Sequence, residues 1–319
     1  MEPKYIWMDG SLVEYEKATV HFMTPALHYG VGVFEGIRCY ATDHGPAVFR
    51  LQEHMERLIN SAKILGFRDL PYTADQLAEA TKLVVSANGF DECYIRPLIY
   101  LGGEKLGLVL DNGEPKVGIA AIEWNNYLGP EALEKGIRAT VSSFTRHHPN
   151  VTMTKAKITG NYANSVLAKT EAVRLGYDET VMLDPQGYVA ECSGENLFVV
   201  RESEIYTSPT ATILEGITRD ALITLARDLG YNVIEQPISR DQLYIADEVF
   251  VSGTAAECVA VCEIDHRIVG AGKMGPVTRA LQQAFQSAIR GQHPRSAKWL
   301  DYVNAATPAV IPAHEQVPA

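Results

Sequence analysis

The chain has 319 residues, 46% hydrophobic and 21% charged, long enough for a large core and for two domains rather than one. Its 28 Lys+Arg against 39 Asp+Glu leave a formal net charge of −11 at pH 7. That balance excludes broad attraction to nucleic acid or to an anionic membrane, but not a local basic pocket for a small anion. No apolar run approaches the ~20 residues that a membrane-spanning helix needs, and the N-terminus MEPKYIWMDG lacks an apolar stretch of the secretory kind. The five cysteines, Cys39, Cys93, Cys192, Cys258 and Cys262, are scattered and form no C-x-x-C. They read as reduced, mostly buried thiols and point to a cytoplasmic location. The nine histidines show no metal-ligand spacing. His147-His148 reads as a loop pair, and no metal is expected.

In chain order, YIWM, Asp9-Gly10 and SLV (5–13) predict a hairpin with a two-residue turn. Leu51, Met55, Leu58, Ile59, Ala62 and Leu65 make one apolar stripe and predict a helix over 51–65, stopped by Gly66. Thr73 with Gln76 three residues on is a capping box, opening a helix that ends at Gly89. CYIRPLIYL (93–101) and KVGIAAIEW (116–124) read as strands around an irregular segment, 102–115. The polar stretch 125–136 reads as a connection, and IRATVSSF (137–144) as a strand. A helix follows over 161–175, then a hairpin over 180–191 that turns at Asp184-Pro185-Gln186-Gly187. NLFVV and EIYTS are short strands. Thr218 is the expected N-cap of a helix reaching Leu229, and EVFVSGTAAE (248–257) a strand running into a turn of small residues. A last helix covers about 276–290. The mixture predicts an α+β protein: domain 1–124, interdomain loop 125–136, domain 137–304 and a disordered tail 305–319, with the two domains facing across a cleft.

Four stretches carry chemistry. YGVGVFEG is no dinucleotide fingerprint, because the third Gly of G-x-G-x-x-G would fall on Glu35. MTKAKITGNY (153–162) places Lys155 and Lys157 just before a helix. In an extended segment the two share a face, so periodicity does not choose between them. A catalytic amine must lose its proton to attack a carbonyl, which burial or a neighbouring cation promotes. GYVAECSGENLF (187–198) sets Glu191 at the end of an apolar strand, where a carboxylate is exposed unless a cation, such as a protonated pyridine nitrogen, meets it. LEGITRD (214–220) and SGTAAE (252–257) offer a helix start and a small-residue turn whose amides suit an anion. Arg57 lies off the apolar stripe of its helix and reads as exposed. Arg96, inside the apolar strand YIRPL, reads as a buried arginine that needs an anionic partner and as a bidentate carboxylate binder.

PALHYGVGVFEGIRCY (25–40), HMERLINSA (54–62), YIRPL (94–98), KITGNY (157–162), GENLF (194–198), GITRD (216–220) and SGTAAE (252–257) occur together in this order. In that order they resemble the landmarks of fold-type IV pyridoxal-phosphate enzymes, and the chain is similar to the bacterial branched-chain amino-acid aminotransferases over about residues 5–304. The resemblance implies two α/β domains joined by an interdomain loop, with the active site between them, and pyridoxal 5'-phosphate as cofactor. It makes Lys157, five residues before the Tyr of GNY, the Schiff-base lysine and proton shuttle. Tyr162 would bond the cofactor's ring oxygen, Glu191 its pyridine nitrogen, and Leu214 would pack on the ring. Arg57, Ile217, Thr218 and Thr254 would hold the phosphate, which replaces the exposed reading of Arg57. The amides of Thr254 and Ala255, with Tyr94, would take the substrate α-carboxylate. Tyr29, Phe34, Gly36, Trp124 and Tyr127 would shape the side-chain pocket, and Arg96 would receive the distal carboxylate of glutamate.

The implied reaction passes the amino group of L-leucine, L-isoleucine or L-valine to 2-oxoglutarate by a ping-pong route. The implied partners are amino-acid and 2-oxo-acid substrates and further copies of the chain, as a homodimer or a homohexamer. D-amino-acid transaminases, (R)-amine transaminases and aminodeoxychorismate lyases share the fold and are the alternatives, and a non-catalytic phosphate-ligand binder is the rival of another kind. Two departures stand out: KAKIT precedes GNY where AAKAG-like runs are usual, which would put Lys155 and Thr159 beside the cofactor, and the loop 105–115 differs from the well-known bacterial form.

Overall fold

The computed structural model describes residues 2–123, 128 and 131–303. The expected tail, and most of the expected interdomain loop, lie outside the described residues. The chain divides into two compact units, each built on its own sheet.

Among the described residues the first unit holds an eight-stranded antiparallel sheet. Its order runs Leu300–Tyr302, Gly45–Phe49, Ile37–Thr42, Cys93–Leu101, Pro115–Ile122, Tyr5–Met8 and Ser11–Glu14, with Gly32–Phe34 paired to Cys93–Leu101. The first hairpin forms as read: Asp9 and Gly10 both take positive φ, 43° and 107°, the geometry of a tight two-residue turn. The helix Leu51–Leu65 matches its expected limits and ends at Gly66 in the left-handed region. Its apolar stripe packs into the core with Ile37, Cys39, Ile95 and Ile119, and the helix Ala74–Asn88, closed by the Thr73–Gln76 capping box, packs there too. Two polar residues, His54 and Ser61, lie on the buried side of the first helix.

The second unit holds a mixed sheet of nine strands among the described residues. The order is Val189–Cys192, Glu179–Leu183, Ile137–Val141, Glu257–Ile264, Glu248–Gly253, Asn196–Arg201, Glu204–Thr207 and Val233–Glu235, with Arg267–Ile268 on an edge. The helices Tyr162–Arg174, Ile217–Asp228 and Pro276–Ile289 belong to this unit, the last reaching its boundary. Strand and helix limits fall within a few residues of those expected. Thr218 is not the N-cap: Gly216 is, in extended conformation, and Thr218 sits buried inside the first turn.

The division departs from the expected domains in one respect. Residues 156–160 and 288–303 cluster with the first unit instead of with 137–304. Backbone pairing explains both transfers. Phe34 N donates to Lys157 O at 3.0 Å, Gly160 N to Gly30 O at 3.1 Å, and Val33 bridges Ile158. Leu300–Tyr302 completes the edge of the first sheet beside Gly45–Phe49. No helix among the described residues is long and apolar enough to cross a membrane. No group of side chains among them could hold a metal ion, and the five cysteines are free thiols.

Candidate active site

In the first unit the segment after strand Gly32–Phe34 turns Glu35 fully inward. Its carboxylate meets one face of the 51–65 helix, where residues three apart are neighbours. Arg57 clamps it with two bonds, Nε to Oε1 at 2.7 Å and Nη2 to Oε2 at 2.8 Å, and His54 Nδ1 lies 2.8 Å from Oε2. Burial alone pushes the Glu35 carboxyl up. Arg57 and His54, through charge and hydrogen bonds, outweigh it and hold the group well below the usual carboxylate range. Burial pushes His54 down, against Glu35 and with help from Arg57 and Lys157, so a neutral imidazole donates Nδ1–H to the carboxylate. Arg57 is therefore held in a fixed pose and is not the exposed arginine that its place off the stripe suggested.

The second polar residue of that helix face, Ser61, accepts from Lys157 N at 3.1 Å. With Phe34 N on its carbonyl, Lys157 is fixed by its backbone on both sides, and its half-buried amine lies 5.0 Å from the Phe34 ring centroid. Lys155 does not share this place. Its amine bonds Thr210 O and, at 2.5 Å, Glu215 in the second unit. Thr159 spends its hydroxyl on Gly30 O at 2.7 Å and Gly32 O at 3.2 Å, which ties the backbone together.

Arg96 is exposed, contrary to the buried reading of YIRPL. Along Cys93–Leu101 its neighbours Ile95 and Pro97 point to the core, so alternation turns Arg96 to the open face. There its guanidinium lies over the rings of Phe34, at 4.6 Å, and Tyr94, at 5.2 Å, and Nη2 donates to the Tyr94 hydroxyl at 2.8 Å. Gly36 is required at this wall, since a Cβ there would stand 2.1 Å from the Tyr94 hydroxyl. Tyr29 ends the Pro25–Tyr29 helix and is exposed. Trp124 and Tyr127 lie outside the described residues.

In the second unit Glu191 is buried, not exposed at its strand end. It accepts from Arg146 Nε at 2.7 Å, Asn196 Nδ2 at 3.2 Å and Leu214 N at 3.2 Å. Arg146 also turns Nη1 to His147 Nδ1, 2.9 Å away; burial and then Arg146 hold that imidazole down at about 4, so it is neutral and accepts. Asn196 donates as well to Leu214 O, which ties the strand to the segment ahead of the Ile217–Asp228 helix. No side chain caps that helix, and a Cβ on its N-cap Gly216 would stand 2.1 Å from Asn196 Oδ1. Ile217 and Thr218 open it, Tyr162 opens the Tyr162–Arg174 helix, and Thr254 and Ala255 sit half-buried in the turn closed by the Gly253–Glu257 pair.

These residues fit pyridoxal phosphate. A carboxylate has about four acceptor sites, and among the described residues three on Glu191 are taken, which leaves room for a ring N–H. A helix start without a capping side chain suits a phosphate. Sequence reading missed Glu35, His54, Arg146 and Asn196. For the first two a cue existed, a charge inside an apolar run and a histidine in an apolar stripe. Asn196 stood inside GENLF with no role assigned to it, and Arg146 carried no cue.

The Glu35 clamp has a measurable consequence. Glu35→Gln removes the buried charge that His54 and the half-buried Arg57 face, and unpairing a buried ion costs on the order of 3–5 kcal/mol. Thermal unfolding of E35Q is expected well below that of the parent at pH 7. Because the folded carboxyl is held low, its contribution is present above the ordinary value of 4.5 and is lost as pH falls below it, so the gap narrows in acid. Equal melting temperatures at neutral pH would remove Glu35 as the anchor of Arg57.

Comparison with known proteins places this arrangement. Residues 32–264 match the family described as amino-transferase class IV. The chain is 50% identical over 302 residues to the branched-chain-amino-acid aminotransferase of Escherichia coli (strain K12), covering 94% of this chain and 97% of that one. A crystal structure of an Escherichia coli branched-chain amino acid aminotransferase superposes with a TM-score of 0.91 at 49% identity, over 95% of this chain and 100% of that one. A T.th. branched-chain amino acid aminotransferase complexed with N-(5'-phosphopyridoxyl)-L-glutamate gives the same TM-score, 0.91, at 49% identity and with the same coverage. A structure of the T.th. enzyme with pyridoxamine 5'-phosphate gives 0.92 at 50% identity, again over 95% of this chain and 100% of that one. A family match over most of the chain, with a relative at this identity along nearly its whole length, means that the chain belongs to the class IV aminotransferases, enzymes that work with pyridoxal 5'-phosphate.

Proposed function

We propose that this protein is a branched-chain amino-acid aminotransferase that moves the amino group of L-leucine, L-isoleucine or L-valine to 2-oxoglutarate in two half-reactions. The observation that carries the substrate reading is the buried group of Phe34, Gly36 and Tyr94 with the exposed Arg96 guanidinium lying on both rings. An aliphatic side chain packs on such rings, and a distal carboxylate pairs with the arginine. One wall thus accepts both an apolar amino acid and glutamate. The T.th. relative complexed with a phosphopyridoxyl-glutamate supports the second half.

When bound, pyridoxal phosphate supplies the electron sink that makes an amino acid's α-proton acidic. Lys157 would hold the cofactor between turnovers, and its amine would take the proton from the substrate Cα and later return one. Glu191, backed by Arg146 and Asn196, keeps a proton at the ring nitrogen. Tyr162 would bond the ring oxygen and Leu214 would pack on the ring. Arg57, Ile217, Thr218 and Thr254 would hold the phosphate. Tyr94 with the amides of Thr254 and Ala255 orients the α-carboxylate, and Tyr29, Trp124 and Tyr127 complete the side-chain pocket. The enzyme acts in the cytoplasm as a homodimer or a homohexamer, which sedimentation would separate.

The visible spectrum of the purified protein tests this. A yellow band that bleaches with L-leucine and returns with 2-oxoglutarate is the expected result. A band that ignores L-leucine but responds to D-alanine or a primary amine would move the substrate to the D-amino-acid or amine class.

A further inference from the structure

The pair His147-His148 divides in the fold. His148 is exposed, and its Nδ1 takes Asn150 N at 3.0 Å, an ordinary turn contact. His147 is half-buried and turns to the cluster around Glu191, where its Nδ1 lies 2.9 Å from Arg146 Nη1. An arginine only donates, so Nδ1 is the accepting nitrogen and the ring hydrogen sits on Nε2. That Nε2 is buried and, among the described residues, has no hydrogen-bond partner. A buried N–H without a partner is destabilising, and an aliphatic side chain at this position would avoid it. What an imidazole offers here, and an aliphatic side chain does not, is an acceptor for Arg146.

Arg146 is buried, and its backbone N–H docks on Leu183 O at 2.8 Å. Arg57 meets Glu35 through two bonds, which fix a guanidinium by themselves. Arg146 gives Glu191 only one among the described residues, from Nε at 2.7 Å, and a single bond leaves a guanidinium free to turn about it. His147 on Nη1 supplies the second fixed point. It is neutral at pH 7, since burial and then Arg146 hold it down at about 4, so it orients the guanidinium without cancelling its charge. A carboxylate in its place would cancel that charge. The charge matters because of where it falls. Glu191 Oε2 takes two donors, Asn196 Nδ2 and Leu214 N, both at 3.2 Å, whereas Oε1 takes Arg146 alone among the described residues. With two acceptor sites to an oxygen, the open site is on Oε1. The oxygen left for a ring N–H is thus the one that Arg146 holds. A cation beside a carboxylate favours the ionised form, which leaves the proton on the nitrogen. We propose that His147 is a positioning residue: its Nδ1 takes an Nη1 hydrogen of Arg146 and so keeps the guanidinium on Glu191 Oε1, the oxygen that meets the cofactor's ring nitrogen. The proposal rests on the role given above to Glu191.

The test uses the full chain loaded with pyridoxal phosphate that carries a heavy-nitrogen label in its ring, and two variants. The amide oxygen introduced by His147→Asn can accept from Arg146 as Nδ1 does, whereas the side chain introduced by His147→Leu fills the space and accepts nothing. The NMR resonance of the labelled nitrogen reads its protonation directly. The parent and H147N are expected to share the position of a protonated ring, and H147L to move toward that of an unprotonated one. H147L is also expected to lose at least about tenfold in kcat, the order of a lost hydrogen bond to a charged group, with a smaller change in KM, while H147N stays within about threefold of the parent. A ring resonance and a kcat in H147L equal to the parent's would overturn the proposal, and so would an H147N indistinguishable from an impaired H147L. E191Q separates this from the reading beneath it. A resonance that E191Q also leaves in place would overturn the role of Glu191, whereas one that moves in E191Q and not in H147L would overturn the role of His147 alone.

Discussion

Lys157→Ala is expected to abolish transamination, with kcat for L-leucine and 2-oxoglutarate falling by at least ~1,000-fold, because in the proposed function the same amine anchors the cofactor and carries the proton. The fold should survive the change. Lys157 is held by its backbone, through Ser61 Oγ on its N–H and Phe34 N on its carbonyl, and alanine keeps both bonds. The melting temperature should thus stay near the parent's while turnover disappears. Lys155→Ala is the matched control. Its amine bonds Thr210 O and Glu215, so its loss should leave most of the turnover in place. Normal activity in K157A, or an equal collapse in both variants, would move the reactive amine away from Lys157.

Glu191→Gln should slow the reaction on the order of 100-fold or more while changing substrate KM far less. An amide keeps the shape of the side chain but supplies no negative charge to hold a proton on the ring nitrogen, so the α-proton becomes harder to remove. A second effect accompanies the first. Arg146 loses the carboxylate it meets at 2.7 Å in a buried place, and breaking such a pair costs on the order of 3–5 kcal/mol. Stopped-flow measurement of the first half-reaction separates the two, because instability lowers the amount of active protein and not the rate constant of what remains folded. A rate constant equal to the parent's would leave Glu191 as a structural acid only.

The local elements were legible because local chemistry specifies them. Asp9-Gly10 accepts the positive φ of a tight turn, the Leu51–Leu65 stripe has helical period, and Thr73–Gln76 caps its helix within four residues. The strands from Gly32 to Phe49 escaped this reading because most of their residues are buried on both faces, which erases alternation. Arg96 was misjudged for a related cause. An apolar strand sequence does not say which single position faces outward, and its pairing with Pro115–Ile122 and Ile37–Thr42 sets that.

The sequence by itself determined the class of the protein and offered the candidates for its reactive groups. The motifs carry the candidate lysine and the two amide-lined turns, Glu191 stands at the strand end just ahead of GENLF, and each is a short contiguous stretch whose chemistry can be read in place. What only the tertiary structure decided is how those groups are supported. Glu35 reaches His54 and Arg57 from 19 and 22 residues away, Arg146 reaches Glu191 from 45, and the 156–160 segment joins the first unit through Gly30 and Phe34. Such pairings bring buried charges and backbone groups together across large gaps in the chain. They exist because a charge or an N–H removed from water must find a partner, and which partner is near depends on the fold and not on the neighbouring residues.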